Sequence, residues 1–222
     1  MLTRLLAIWQ SDPTFPSGGF AFSNGVEGVA AEGGLDAAEL GRVVRFTMRH
    51  RWATTDQVAL VHSWRAGADF ERVLAIDAEV EANALAEPLR SGSRRNGLAL
   101  LATHMRLGSE VAVRLRAAVR DGRALGHLPV VQGQIWRELG LDEEGAVAAS
   151  GYGCLLGLVS ASVRLGKVGA LGAQTVVASA LPLLAELAGE RVPEELALSS
   201  STPFLDVAAI RHARSDLRLF AN

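Results

Sequence analysis

The sequence predicts an all-α protein that forms a single compact domain of about nine or ten helices over residues 1–222. Helix-start patterns recur along the whole chain, apolar residues follow helical spacing, and strand alternation appears nowhere convincingly. With 222 residues, of which 49% are hydrophobic, the chain can bury one substantial core and is too apolar for disorder. Neither a long linker nor an internal repeat divides it.

The first half of the chain opens with a short amphipathic helix over residues 2–10, whose apolar residues recur at helical spacing. Ser23 or Asn24 is suited to cap a second helix that begins near Gly25. Capping-box pairs and single start signals predict the helices that follow. These signals are Asp36 with Glu39, Thr54 with Gln57, Asp69, and Pro88.

The second half continues in the same way. A helix over residues 109–120 is predicted to end at the turn signal Asp121-Gly122, and Pro129 suits the first turn of the next helix. Asp142 then opens a helix rich in Gly, Ala and Ser, whose small side chains allow close packing of backbones. Further boundaries are predicted at Gly140, Gly166, Gly169 and Thr202-Pro203, with the last helix running past His212.

The most unusual stretch is residues 11–27, SDPTFPSGGFAFSNGVE, which breaks helical periodicity with two prolines and a Gly-Gly pair. Phe15, Phe20 and Phe22 nevertheless crowd into it. A flexible linker would not hold that much aromatic surface, so we expect a packed loop. It is either a well-packed connection between helices or a surface that another molecule recognises.

Bulk charge limits the choice of partners and location. The 22 basic and 24 acidic residues leave a net charge of −2, which argues against a dedicated nucleic-acid binder. Uncharged runs over residues 146–163 and 168–184 approach the length of a membrane span, but their Gly, Ala and Ser content favours buried core helices. We see no signal peptide, so a cytoplasmic protein without a membrane anchor is expected.

The chain offers no recognisable catalytic or metal-binding motif. Its five histidines are scattered, and its single cysteine, Cys154, sits among Gly, Tyr and Leu as a buried thiol would. Neither a nucleophile elbow nor a Walker A loop is present. We therefore predict no enzyme activity, no cofactor and no metal site within one chain. Among the histidines, His212 is the candidate for a weak metal site shared between two copies of the chain.

Four blocks, in order and spacing, resemble the UreF family of urease accessory proteins. They are PTFPSGGFAFSNGVE at residues 13–27, RRNG at residues 94–97, HLPVVQG at residues 127–133 with VSASVRL at residues 159–165, Gly169 and Gln174, and His212 with Arg218-Leu219-Phe220. The chain departs from the family pattern at residues 166–170, GKVGA, and at its last two residues, Ala221 and Asn222.

The resemblance implies an all-α homodimer without catalysis of its own, which binds the accessory protein UreD (UreH in some organisms) and the GTPase UreG. The complex would deliver nickel to apo-urease. It implies partner-binding roles for Pro16, Gly18, Gly19, Phe20, Ser23, Glu27, Arg94, Arg164, Gln174, His212, Arg218, Leu219 and Phe220. For Arg164, at a helix end, a purely structural role is the favoured alternative.

Two other functions stay open. One is a helical enzyme or small-molecule-binding protein that uses the backbone amides of residues 17–20 with Arg94, Arg95 or Arg164 as an anion site. The other is a regulator that accelerates GTP hydrolysis by UreG through an inserted arginine. The apolar tail residues Leu217, Leu219 and Phe220 lie so near the chain end that we expect the tail to be mobile until a partner orders it.

Overall fold

Eleven α-helices make up the protein in the computed structural model, which describes residues 1–215 and 218–221. No β-strand occurs in those ranges. The helices are α1 (Leu2–Gln10), α2 (Val26–Gly33), α3 (Ala37–Thr47), α4 (Gln57–Ala66), α5 (Phe70–Asn83), α6 (Glu87–Arg106), α7 (Glu110–Arg120), α8 (Leu128–Glu138), α9 (Glu143–Arg164), α10 (Ala170–Gly189) and α11 (Pro203–His212). A short 3-10 turn, Gly19–Ala21, lies in the loop between α1 and α2.

A π-helical segment, Met48–Asp56, joins α3 directly to α4, so the two form one continuous rod. Counted in this way, the described residues form ten helical rods around one core, and the predicted all-α fold is confirmed. The prediction that Thr54 starts a separate helix is wrong, because Thr54 lies inside this rod. The backbone carbonyls of His50 and Thr54 instead accept hydrogen bonds from the N–H groups of Ser201 and Ser199, each at 3.0 Å.

Four of the predicted helix starts are confirmed by side-chain caps. Asp36 and Asp69 accept hydrogen bonds from the backbone N–H three residues later, at 2.7 and 3.1 Å. Ser109 and Asp142 do the same at 2.9 and 2.8 Å. The prediction that Ser23 or Asn24 caps α2 is wrong, because the N-cap is Gly25 in a left-handed conformation with φ of 92° and no side-chain cap. Thr202 is the N-cap of α11, as predicted, but its side chain makes no capping hydrogen bond.

The core is centred on α9, which packs against α10 on one side and against α1 to α4 on others. A Cβ added at Gly151 would meet Leu184 Cδ1 at 2.3 Å and the Trp52 ring at 2.7 Å. The fully buried Trp52 in turn donates a hydrogen bond to Ser150 Oγ at 3.2 Å. The small residues of α9, which were predicted to permit close packing, therefore contact a tryptophan from the π-helical segment and a leucine from α10.

Two helices in the described part of the chain, α9 and α10, are long and apolar enough to cross a membrane by length and composition alone. Inside the protein, 56% of the apolar stretch of α9 and 39% of that of α10 is buried. Burial in the core accounts for the composition of α9. The outer face of α10 is exposed and nearly uncharged, and it bears Leu171, Gln174, Ala178, Leu181 and Pro182.

Candidate partner-binding site

The loop between α1 and α2 is packed onto the protein, as its aromatic content predicts. The Phe15 ring stands edge-on to Trp9, with centroids 5.3 Å apart, and Thr103 Oγ1 on α6 donates a hydrogen bond to Pro16 O at 2.7 Å. Gly18 has φ of 82°, and a Cβ there would lie 2.6 Å from the Cβ of Ala99. Glycine is therefore required at this position both for backbone conformation and for close approach to α6.

The start of the loop carries its own turn. Asp12 Oδ1 accepts hydrogen bonds from Thr14 Oγ1 at 2.6 Å and from Thr14 N–H at 2.7 Å. These bonds favour the ionised carboxylate and lower the pKa of Asp12 below its usual value. The turn places the two prolines at the edge of the loop, where Pro13 and Pro16 are both exposed.

Arg164, at the last turn of α9, lies between two phenylalanine rings. Its guanidinium carbon is 3.5 Å from the centroid of Phe20 and 4.3 Å from that of Phe220, and the guanidinium also donates a hydrogen bond to Phe20 O. Phe20 keeps 68% of its surface exposed, whereas Phe220 keeps only 5%. A cation held between two rings gains electrostatic attraction to both. The arrangement fixes the loop and the C-terminal segment to the same helix end.

The buried carboxylate of Glu27, in the first turn of α2, holds the C-terminal segment from the other side. It accepts hydrogen bonds from the backbone N–H of Leu219 at 2.6 Å and of Phe220 at 3.3 Å. His212 Nε2 lies 3.1 Å from the same carboxylate. Glu27 is only 5% exposed, so its negative charge requires compensation within the protein. These hydrogen-bond donors and the position of Glu27 at a helix N-terminus provide it.

The C-terminal segment is further fastened through its backbone. Ala221 N–H donates to Ala21 O in the loop at 2.8 Å, and Arg95 donates to Ala221 O at 3.0 Å. Arg218 Nη1 donates to Ala213 O at 3.3 Å, while the Leu219 side chain is exposed. The expected mobile tail is therefore replaced by a tail that folds back on its own domain. Leu217 and Asn222 lie outside the described residues.

The tail is ordered, and not mobile as expected, because of hydrogen bonds to its backbone. The expectation weighed only side-chain burial against the entropy cost of ordering. Burial of Phe220 stabilises by about 1.5–3 kcal/mol, which is less than the ordering cost of a short tail at about 1–2 kcal/mol per residue. The four hydrogen bonds with Glu27, Ala21 and Arg95 shift that balance toward order, because three of them involve a charged partner.

The predicted partner-binding residues thus divide into one cluster and several separate positions. Phe20, Glu27, Arg164, His212 and Phe220 meet, and we call these five residues the tail cluster. Gly18, Gly19, Arg218 and Leu219 lie beside them in the loop and the tail, Ser23 is buried in the loop, and Pro16 stands at its edge. Sequence reasoning missed Ala21, whose contribution is a backbone carbonyl and leaves no signal in the sequence.

Arg94 and Gln174 lie apart from the tail cluster. Arg94 pairs with Glu81 at 3.3 Å and with Glu87 at 3.2 Å. Gln174 is on the exposed face of α10. Because the guanidinium groups of Arg94, Arg95 and Arg164 are all engaged by carboxylates or carbonyls of the protein, an anion site at residues 17–20 would have to displace those contacts.

The side chains that could bind a metal ion or act as a nucleophile also bear on the kind of site. Within residues 1–215 and 218–221, no group of three or more His, Cys, Asp or Glu side chains is arranged to hold a metal ion. Burial, together with the nearby Asp56 carboxylate, raises the pKa of the half-buried Cys154 thiol to about 12. Such a thiol stays protonated at neutral pH and is a poor nucleophile.

The sequence is similar to proteins of one known family. The family model described as UreF matches residues 35–181. A protein of Trichodesmium erythraeum named "Urease accessory protein UreF" is 30% identical over 227 residues, covering 100% of this chain and 98% of the relative. Proteins of the same name from Cereibacter sphaeroides and Kocuria rhizophila are 33% and 31% identical, and each alignment covers 99% of this chain and 97% or more of the relative.

Proposed function

This chain belongs to the UreF family of urease accessory proteins, and from that membership we propose that it is a non-catalytic maturation factor for urease. In this role it joins the accessory protein UreD (UreH) and the GTPase UreG in the cytoplasmic complex that inserts nickel into apo-urease. Nickel is the cargo of the complex, and no resident cofactor is required.

The observation that carries this proposal is the convergence of the aromatic loop and the C-terminal segment in the tail cluster. Residues far apart in sequence build one surface, with Phe20 exposed above a fixed guanidinium and Leu219 exposed beside it. Exposed aromatic and apolar side chains that are held in place by buried contacts are typical of protein-recognition sites. The surface therefore suits a rigid docking partner better than a small ligand.

We further propose that the chain acts as a homodimer through the outer face of α10. This face bears Leu171, which is 83% exposed, with Ala178 and Leu181, and Glu186 is its only charged residue. A nearly uncharged exposed helix face is costly in a monomer and is suited to pairing with a second copy. Light scattering on Ala178→Arg, with Lys167→Glu outside the helix as control, tests the dimer: only the first variant should become monomeric.

The test of the proposed function is co-purification with UreD and UreG encoded by the same organism. The full chain should bring down both partners, and urease made in its absence should contain little nickel. A Phe20→Asp variant should fold normally but lose at least one partner, whereas Phe204→Asp, on an exposed site of α11, should retain both. Retention of both partners by Phe20→Asp would reject the tail cluster as the recognition surface.

A further inference from the structure

Two arginines from different segments lie on the same phenylalanine ring, outside the tail cluster. The guanidinium carbon of Arg114, on α7, is 3.9 Å from the centroid of Phe70, and that of Arg123, after α7, is 5.8 Å from it. Phe70 begins α5 and packs against the core. The ring therefore serves as a fixed platform that orients two exposed cations next to each other.

Neither cation is neutralised. Glu71, Glu110 and Asp121 are close in sequence, yet no carboxylate in residues 1–215 or 218–221 lies within 4 Å of either guanidinium. Some exposed arginines elsewhere are paired, as Arg65 is with Glu143 and Arg211 with Glu32, whereas others, such as Arg4 and Arg45, have no carboxylate partner among the described residues. The two guanidinium groups on Phe70 thus present hydrogen-bond donors that no described residue of the chain uses.

Positive charge is also concentrated around Phe70. Residues 106–123 contain five arginines against Glu110 and Asp121, which gives +3, whereas the whole chain carries −2, so the remainder carries −5. Arg116 and Arg120 are four residues apart on the outer face of α7, a spacing at which like charges repel. Asp121 pairs with Arg120 at 3.1 Å and so compensates part of this charge, and an anionic partner can relieve the remainder.

Apolar residues lie among these arginines and limit the classes of partner that fit this surface. Val113 is 51% exposed and Leu107 is 56% exposed on the same helix and its preceding turn. The aromatic ring of Phe70 is covered by guanidinium groups, so it is not free to stack on a base. A protein segment with both carboxylates and aliphatic side chains matches this surface, which we name the arginine platform: Phe70, Val113, Arg114, Arg116, Arg120 and Arg123.

We propose that the arginine platform is a second docking surface, which binds an acidic, aliphatic segment of a maturation partner. The inference rests on the proposed function, because the partner is taken to be UreD or UreG. Its carboxylates pair with Arg114 and Arg123, and its aliphatic side chains cover Val113. Charge complementarity of this kind accelerates association and selects the partner, and salt weakens it.

Charge reversal on the full chain tests the proposal. Arg114→Glu/Arg123→Glu is compared with Arg4→Glu/Arg45→Glu, which removes two exposed arginines that also lack an ion pair within the described residues. Binding to immobilised UreD and, separately, to UreG is measured at low and high salt. The platform variant should bind at least one of them on the order of tenfold more weakly at low salt, mainly through slower association. The control should change affinity by less than about threefold.

Two further measurements separate the possible failures. Arg114→Lys/Arg123→Lys should keep most of the affinity, and melting curves should show that all variants fold. Equal binding by the platform variant and the wild type, or equal weakening by the control, would overturn the docking surface. Inorganic phosphate that displaces the partner better than chloride at equal ionic strength would instead indicate a free-anion site and would also overturn it. Failure of the wild type to bind UreD or UreG would reject the proposed function itself.

Discussion

Glu27 Oε1 accepts a hydrogen bond from the backbone N–H of Leu219 at 2.6 Å, although 192 positions separate the two residues in the sequence. The carboxylate is buried at the start of α2, directly after the loop that carries Phe20. The loop and the C-terminal segment therefore form one unit, and a change that releases one is expected to release the other.

Replacing Glu27 tests this unit. Glu27→Ala removes the acceptor for two backbone N–H groups and the partner of His212, and unsatisfied buried donors cost about 1–3 kcal/mol. We expect that loss in the free energy of unfolding in urea, together with faster proteolysis near the C-terminus. Glu32→Ala, which breaks a more exposed ion pair with Arg211, should change stability by no more than about 0.5 kcal/mol. Equal effects of the two variants would contradict this account.

The two neighbouring apolar residues of the tail should behave differently. Phe220 is 5% exposed and Leu219 is 59% exposed, so Phe220→Ala should lower the free energy of unfolding by about 3 kcal/mol. Leu219→Ala should change it by about 0.5 kcal/mol or less, while weakening partner binding. Deletion of residues 215–222 should likewise destabilise the protein. An unchanged melting temperature after deletion would show that the tail is not part of the folded domain.

Arg164 tests whether its ring contacts serve stability, recognition or both. Arg164→Ala removes the cation between Phe20 and Phe220, which is worth about 1 kcal/mol, and should lower thermal stability and partner binding together. Arg164→Lys keeps the charge but loses the planar donor to Phe20 O, so it should recover only part of both. Loss of binding at unchanged melting temperature would assign Arg164 to the interface alone.

His104 predicts how stability depends on pH. Its Nε2 lies 3.1 Å from Gln10 Oε1, and its buried Nδ1 has no hydrogen-bond partner among the described residues. Burial disfavours the charged ring and lowers its pKa below 6.5. The unfolded chain therefore binds a proton first on acidification, and stability falls as pH drops below about 6.5 until the folded pKa is reached.

Urea unfolding at several pH values measures this effect. His104→Gln should flatten the pH dependence between neutral and mildly acidic conditions, by up to about 1.4 kcal/mol per pH unit in the affected window. His50→Gln, an exposed position, is the matched control and should leave the slope of the wild type unchanged. A variant slope identical to that of the wild type would show that His104 is not the responsible group.

Local signals in the sequence predicted a helix start correctly where the capping hydrogen bond joins residues that are close in the sequence. Asp36, Asp69, Ser109 and Asp142 cap their helices through a hydrogen bond to the third residue that follows, so the residue types alone predict the helix starts. Thr54 carries the same signal and fails. It lies within a rod that is continuous through the π-helical segment, where the buried Trp52 packs against α9.

The candidate site was predictable in its members but not in its arrangement. The family resemblance names Phe20, Glu27, Arg164, His212 and Phe220, but only tertiary packing brings them into one cluster. The tail was expected to be mobile because the acceptors that order it are distant in sequence: a carboxylate on α2 and the carbonyl of Ala21. No sequence motif predicts the arginine platform, because Phe70 and Arg114 are far apart in sequence and meet only in the folded protein.

Nickel content of urease made with and without this chain tests the central proposal most directly. Apo-urease, UreD and UreG are co-produced from the same organism with nickel supplied, and the wild-type chain is compared with its omission and with Phe20→Asp. Urease should contain nickel and be active only with the wild-type chain, and the Phe20→Asp variant should give substantially less of both. Full nickel occupancy and activity without the chain would contradict its role in urease maturation.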